Sequence, residues 1–512
     1  MYPSIIKISQ FINKHLLLLC ACLFAIRGSY LFINQLDLIG DETYYWDWSR
    51  QLDWCYYSKP PMVAWLIRLF TELGGNSVAI VRLPTVVLGT IFLAYFYATT
   101  KAIYNAQTAA LALLMILATP ANLIANFIMT IDPPLYCFWI MSIYFLQQAL
   151  FKRNLLDWLW AGMATGAALL SKQVALLIPL MLIGYLLMDK QRYPSFKKEF
   201  FIYLTPIVLC MIPILLWNQN HDWVMYNHSK GHFSTQEQIS LLKKLEQSYT
   251  VLLYQLLLLT PIIATLITIN SFKLTLKLKH LSAQEQFLVW MGPILLIGFI
   301  VINFFQKTQG NWPMPFYFTG IMLLSAQWQK GQWQKTIKYG LMIGYFMVIL
   351  TYSLPLLIQF FKLQNTAIDP TYRFRNTQEF VNHITKERQR LLTESKADFI
   401  LTIGHRYLAS QLAFYLPEHP QIYRYENKGG VYSQYEIWPG PTKYIGKTAL
   451  IITDKASQTL PKELTDIFNN IEKISEIHDP TDNNKKYGLY LAEGLKSWPA
   501  KAASLQTENN IE

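Results

Sequence analysis

Apolar residues along this chain fall into long unbroken runs instead of narrow amphipathic stripes. Such runs cover 14–36, 78–100, 107–125, 134–151, 157–171, 173–189, 199–217, 249–270, 287–304, 314–328 and 337–361. Most approach the length a helix needs to cross a bilayer, where no water is present to satisfy backbone groups. The pattern predicts about eleven spans and a membrane domain over 1–361. Past that point the period changes. Helical patterns at 378–392, 407–416 and 461–471 alternate with strand-like runs at 398–402, 421–425, 448–453 and 486–491. These predict a small α/β domain over 362–494, followed by a polar tail at 495–512.

The connection between the first two spans, 37–77, is not a plain loop. Met62, Trp65, Leu66, Leu69, Phe70 and Leu73 recur at helical spacing, with Arg68, Thr71 and Glu72 between them, after the proline pair Pro60-Pro61. This segment is too short to span and predicts a helix lying along the membrane surface. Before it stand Asp41, Glu42, Asp47 and Asp53 among tyrosines and tryptophans. Aromatics of this kind favour the membrane–water boundary, and acidic groups held there are expected to face water, a cation or a reacting group.

Composition agrees with a membrane protein: 53% of the 512 residues are apolar and only 15% are charged. The net charge of +12 does not signal nucleic acid, because the basic residues sit in short loops between apolar runs. Lys101, Lys152 with Arg153, Lys190 to Lys198, Lys273 to Lys279, and Lys330 to Lys338 occupy alternate connections. The positive-inside rule places those connections and the N-terminus in the cytoplasm. The 37–77 connection, Asp132, Lys172, 218–248, 305–313 and the C-terminal domain then lie on the other side. Four of the five cysteines (Cys20, Cys22, Cys137 and Cys210) fall within apolar runs and only Cys55 lies outside them, so neither a disulfide framework nor a zinc cluster is predicted.

Three features converge on that outward side: Asp41-Glu42 with Lys59, Asp132 ahead of Pro133-Pro134, and Lys172 at the hinge between two spans. Each has a structural alternative. Asp132 could cap a proline-led helix, Lys172 could snorkel at a boundary, and Glu42 could simply be solvated. Taken together they suit chemistry on a phosphate and a hydroxyl: lysines neutralise a leaving phosphate, and a carboxylate accepts the hydroxyl proton. A transporter or flippase of a lipid-linked sugar is the alternative. Transporters, however, place polar residues near the midplane and often show paired repeats, and no repeat is visible.

Gly40-Asp41-Glu42, Tyr57-Ser58-Lys59-Pro60-Pro61, Val81-Arg82-Leu83-Pro84, Thr130-Ile131-Asp132-Pro133-Pro134-Leu135, Leu170-Ser171-Lys172 and Trp217-Asn218 stand in order along the chain. Asn311-Trp312-Pro313, Phe414-Tyr415-Leu416-Pro417 and Ser433-Gln434-Tyr435 follow. With these motifs the chain resembles the membrane glycosyltransferases of the GT-C class, in particular glycosyltransferase family 39 and its bacterial relatives. Those include protein mannosyltransferases and lipid A aminoarabinose transferases. The resemblance implies an inner-membrane enzyme that moves a sugar from a polyprenyl phosphate, with inversion, to an envelope glycolipid, glycan or protein in the periplasm. It implies catalytic roles for Asp41 and Asp132 and contacts to the lipid phosphate by Lys59 and Lys172; Glu42, Tyr57 and His228 join them as substrate-binding candidates. His228 stands where a relative has a metal-contacting histidine, so a divalent metal stays open as the one cofactor. Two positions depart from the aminoarabinose transferases: Ser58 replaces an acidic residue before the Lys-Pro pair, and Tyr44 replaces an arginine. Both departures point to a different sugar and weaken the expectation of a metal at the acidic pair.

Overall fold

The computed structural model describes residues 10–33, 36–188, 197–232, 240–306, 308–364, 366, 369–394, 397–427, 429–457, 459–479 and 485–499. The chain divides into two compact units. One comprises Met1–Ile33, Arg82–Leu216 and Ser229–Ser353; the second comprises Asn34–Val81, Trp217–His228 and Leu354–Glu512. The segment 500–512 of the expected tail lies outside the described residues.

The first unit is helical. Among the described residues, six helices are long and apolar enough to cross a membrane: Leu16–Ile33, Val78–Ile103, Asp132–Lys152, Lys198–Asn220, Ala283–Phe305 and Gln334–Phe360. Shorter apolar helices, Ala106–Leu117, Leu155–Ser171 and Gln173–Met188, supplement them. The expected span at 249–270 is corrected: Leu242–Leu259 and Pro261–Leu276 meet at a bend of 112°. Hydrophobicity is continuous there, but Pro261 has no N–H to carry the helix through, and Thr260, at φ 74°, caps the new helix by accepting from the Ile263 N–H. The run at 107–125 is likewise two helices, Ala106–Leu117 and Pro120–Ala125, divided at Thr119-Pro120.

Burial separates rim from centre in this unit. Only 17% of the Leu16–Ile33 window and 17% of the Gln334–Phe360 window are buried, against 72% for Asp132–Lys152. Leu17, Leu209 and Phe346 are exposed, as lipid-facing side chains should be. Trp139, Trp158, Tyr203 and Phe287 fill the interior, where Ser142, Thr165 and the Tyr203 hydroxyl bond to one another. The Asp132 helix is therefore an inner helix of its unit, and a carboxylate at its start is shielded from lipid.

The second unit contains a five-stranded sheet, β1 (Phe399–Ile403), β2 (Ile422–Tyr425), β3 (Ala449–Thr453), β4 (Asn470–His478) and β5 (Lys486–Glu493), in the order β2-β1-β3-β5-β4. β1 runs parallel to β2 and β3, whereas β5 is antiparallel to β3 and β4. All residues of β1 and β3 are buried, as for central strands covered on both faces. Four strands match the sequence reading. The expected helix at 461–471 is corrected: only Lys462–Thr465 is helical, and β4 forms because it can pair along β5 with a bulge between Lys473 and Ser475. Leu495 is buried and Trp498 packs on Tyr425, so the expected tail begins inside the domain core.

Candidate functional site

Two clusters hold the residues singled out in the sequence, one in each unit. In the first, Asp132 opens its helix as the residue before Pro133-Pro134, and its side chain makes no cap. Its Oδ1 instead accepts from Lys172 Nζ at 2.9 Å and its Oδ2 from Asn311 Nδ2 at 2.5 Å. Lys172 reaches it because the chain breaks there: the Leu155–Ser171 helix ends, Lys172 is extended, and a 3₁₀ turn follows. Both side chains are mostly buried, at 13% and 12% exposure. The capping and snorkelling alternatives thus give way to a shielded ion pair with a third, neutral donor. Asn311 was visible only as part of a motif; nothing in its spacing ties it to Asp132.

In the second unit, Gly40–Ser49 is a helix, buried from Glu42 to Ser49. This corrects the alternative that Glu42 is simply solvated, and of the three surroundings expected for the acidic residues Asp47 has a cation. Glu42 is fully buried, and its Oε2 accepts from the Ile39 N–H as the far half of a cap. Asp47 is buried between Arg50 and the Tyr435 hydroxyl, at 3.0 and 2.6 Å; burial pushes its carboxyl above the ordinary range, partly offset by Arg50. Asp53 Oδ2 accepts from Trp217 Nε1 at 2.7 Å. Of the four, Asp41 alone keeps a carboxylate oxygen, Oδ2, without a partner among the described residues; its Oδ1 accepts from the Tyr407 hydroxyl at 2.7 Å.

The helix Arg406–Tyr415 sets that contact. A Cβ on Gly40 would overlap the Tyr407 ring, so glycine lets the ring lie against the start of the Gly40 helix. Thr43 and Ser410 bond at 2.8 Å, and Trp46 meets Phe414 edge-on, fixing one helix on the other. Burial and the Asp41 charge hold the Tyr407 phenol well above its ordinary pKa, so it stays a donor. His405 caps the helix through Nδ1, which accepts from the Tyr407 N–H. Burial, Arg406 and Arg424 pull this imidazole down to about 4, which keeps that nitrogen an acceptor near neutral pH.

Ser433-Gln434-Tyr435 braces the same helix. The Gln434 N–H donates to the Tyr44 hydroxyl at 2.6 Å, while its Oε1 accepts from the Tyr57 N–H at 2.7 Å. Tyr57 is buried with its ring 4.8 Å from that of His228, and Trp48 stacks on Tyr56. Lys59 is half-buried, and its carbonyl accepts from the Tyr56 N–H. The Met62–Gly74 helix buries Val63, Ala64 and Ile67 and exposes Leu69 and Leu73, one side to protein and one outward. Among the described residues, no group of three or more His, Cys, Asp or Glu side chains could hold a metal ion, and His228 joins no such group. Tyr407 entered the sequence reading only as the start of a helical pattern and Arg406 not at all, since neither carries a motif signal; only folding brings Tyr407 onto Asp41.

Residues 58–217 match the family model described as dolichyl-phosphate-mannose-protein mannosyltransferase. The chain is 25% identical over 466 residues to the lipid A galacturonosyltransferase RgtD of Rhizobium johnstonii, covering 89% of this chain and 92% of the relative. These matches make the chain similar to the GT-C, family 39-like glycosyltransferases. Its fold resembles ArnT from Cupriavidus metallidurans bound to undecaprenyl phosphate, with TM-score 0.59 and 16% identity over 92% of this chain and 97% of that one. The apo form of ArnT gives 0.60 and 15%, over 93% and 98%. At that identity the likeness is one of fold. This glycosyltransferase is a multi-pass membrane protein with a small α/β region near its C-terminus.

Proposed function

We propose that this glycosyltransferase moves a monosaccharide from a polyprenyl phosphate to an envelope acceptor, with lipid A the leading candidate. The family match, the galacturonosyltransferase relative and the ArnT-like fold support donor and acceptor classes. The observation that carries the reading is the shielded Lys172–Asp132 pair, because ionised groups within membrane helices are costly and mark functional sites. The acceptor hydroxyl attacks the anomeric carbon, the new C–O bond forms as the bond from carbon to the phosphate oxygen breaks, and inversion follows from this single displacement. Asp41 takes the hydroxyl proton, a role supported by its uncommitted Oδ2. The electron pair leaves with the phosphate, whose charge a lysine offsets; Lys59 in one unit and Lys172 in the other are the two candidates for that role. Asp132 holds Lys172 in place, Glu42 holds the start of the Asp41 helix, and Tyr57 and His228 line the substrate side of that unit.

The enzyme resides in the inner membrane with its N-terminus cytoplasmic and the α/β region periplasmic, as the alternating basic loops indicate. The test is transfer of radiolabelled sugar from a polyprenyl phosphate in membranes, with mass spectrometry of lipid A and envelope glycans. Label bound covalently to an acceptor supports the reading; intact lipid moved between leaflets with no product overturns it in favour of a flippase. A reporter fused after Lys279 should be cytoplasmic and one after Pro370 periplasmic; a cytoplasmic Pro370 fusion overturns the orientation.

A further inference from the structure

Two arginines at the start of the Arg406–Tyr415 helix, Arg406 within it and Arg424 bonded to Gly404 two residues ahead of it, are treated differently by the fold. Arg424 has every side-chain nitrogen engaged: Nε donates to the Gly404 carbonyl at 2.8 Å, and its two terminal nitrogens meet Glu436 at 2.5 Å and Glu426 at 2.6 Å. Arg406 makes no ion pair among the described residues, and its buried Nε has no hydrogen-bond partner there. Its guanidinium lies over Tyr44 at 5.4 Å and Tyr407 at 5.3 Å, the latter being the residue that bonds Asp41. A second buried donor, Gln434 Nε2, is also unpaired among the described residues, and its residue bonds the Tyr44 hydroxyl through its main chain. Two N–H donors without acceptors thus belong to side chains flanking one tyrosine.

Such donors are costly to bury unless something fills them. Arg406 is also the first residue of its helix, where the backbone dipole disfavours a cation, and that first turn carries no acidic residue. A guanidinium stacked on aromatics with donors to spare is pre-organised for a planar or tetrahedral oxyanion. We propose that Arg406 recognises an oxyanion of the substrate beside Asp41: either a carboxylate on the transferred sugar or the phosphate of the lipid carrier. This rests on the transferase reading above and adds a specificity determinant to it. Arg406 binds and orients, and Asp41 keeps the proton transfer.

The test uses the full chain in nanodiscs. Binding of undecaprenyl phosphate is measured, as is transfer from two synthetic polyprenyl-phosphate donors, one uronosyl and one the matching neutral hexosyl. Wild type, Arg406→Gln and Arg406→Lys are compared. A loss of about ten- to a hundredfold in undecaprenyl phosphate affinity in Arg406→Gln, the usual scale for a hydrogen bond to a charged group, identifies the carrier phosphate. Unchanged lipid affinity with a similar fall in kcat/KM confined to the uronosyl donor identifies the sugar carboxylate. In either case Arg406→Lys recovers only part of the loss, since an ammonium keeps the charge without the fork. Wild-type affinity and wild-type kcat/KM for both donors in Arg406→Gln overturn the proposal; if that variant does not fold, the same result in Arg406→Lys overturns it. Arg406-dependent lipid binding with no transfer of either sugar by the wild type overturns the transferase reading while supporting the anion site. A wild type that neither binds nor transfers overturns both.

Discussion

Asp132 and Asp41 are both aspartates near the start of a helix, yet their surroundings differ in kind. Asp132 has each oxygen taken, by the Lys172 cation and the Asn311 amide. Asp41 has one oxygen taken, by a neutral phenol, and one without a partner among the described residues. A carboxylate with both oxygens held must give up a bond before it can take a proton. One with a spare lone pair can accept a proton without first breaking a bond. Within one chain, identical side chains are thus suited to electrostatic positioning in one unit and to proton transfer in the other.

The most damaging change to the first cluster is removal of its cation. Lys172→Ala leaves Asp132 shielded and uncompensated, and should cost about 3–5 kcal/mol of stability, read as detergent-extracted unfolding, together with transfer activity. Asp132→Asn with Lys172→Met should recover most of the stability and none of the transfer. Equal stability of all three proteins would show that the pair is solvated and break the contrast. For the second cluster, Asp41→Asn keeps the shape and the acceptor for Tyr407 but removes the base. Turnover should fall about a hundredfold or more, with donor binding and stability little changed. Normal turnover in the folded variant would move the base elsewhere.

Tyr407→Phe sharpens the comparison further. Losing the single bond that orients Asp41 should lower kcat about tenfold with KM nearly constant, on the usual scale for a bond to a charged group. A change in KM alone would mean that Tyr407 contacts substrate instead. Glu42→Gln should be milder, because the amide oxygen still accepts from the Ile39 N–H as the cap requires; a dead, well-folded variant would transfer the catalytic role to Glu42. The smallest effect concerns pH. His405 has a folded pKa near 4, below its ordinary 6.5, so its contribution to stability is present above about 6.5 and fades as pH falls through 4. Stability measured from pH 7 down to pH 4 should decline less steeply in His405→Asn, whose amide oxygen can cap without titrating. Identical slopes would remove His405 from the acid response.

These contrasts separate what sequence can carry from what it cannot. Apolar runs reveal spans because burial in lipid demands an internally bonded helix of fixed length, a local property. Alternation and basic loops are local as well, and four of the five strands were legible from them. The break at Thr260-Pro261 and the strand β4 were misread because each depends on a neighbour: a helix that restarts at another angle, and an edge that needs β5 beside it. The order of motifs sufficed to point to a GT-C glycosyltransferase and to put Asp41, Lys59, Asp132 and Lys172 under suspicion. Only tertiary structure decided their states. Lys172 meets Asp132 across 40 residues, Asn311 across 179, and Tyr407 meets Asp41 across 366. Separations of that size leave no periodic trace in sequence, so whether a carboxylate is saturated or keeps a lone pair is settled by packing alone.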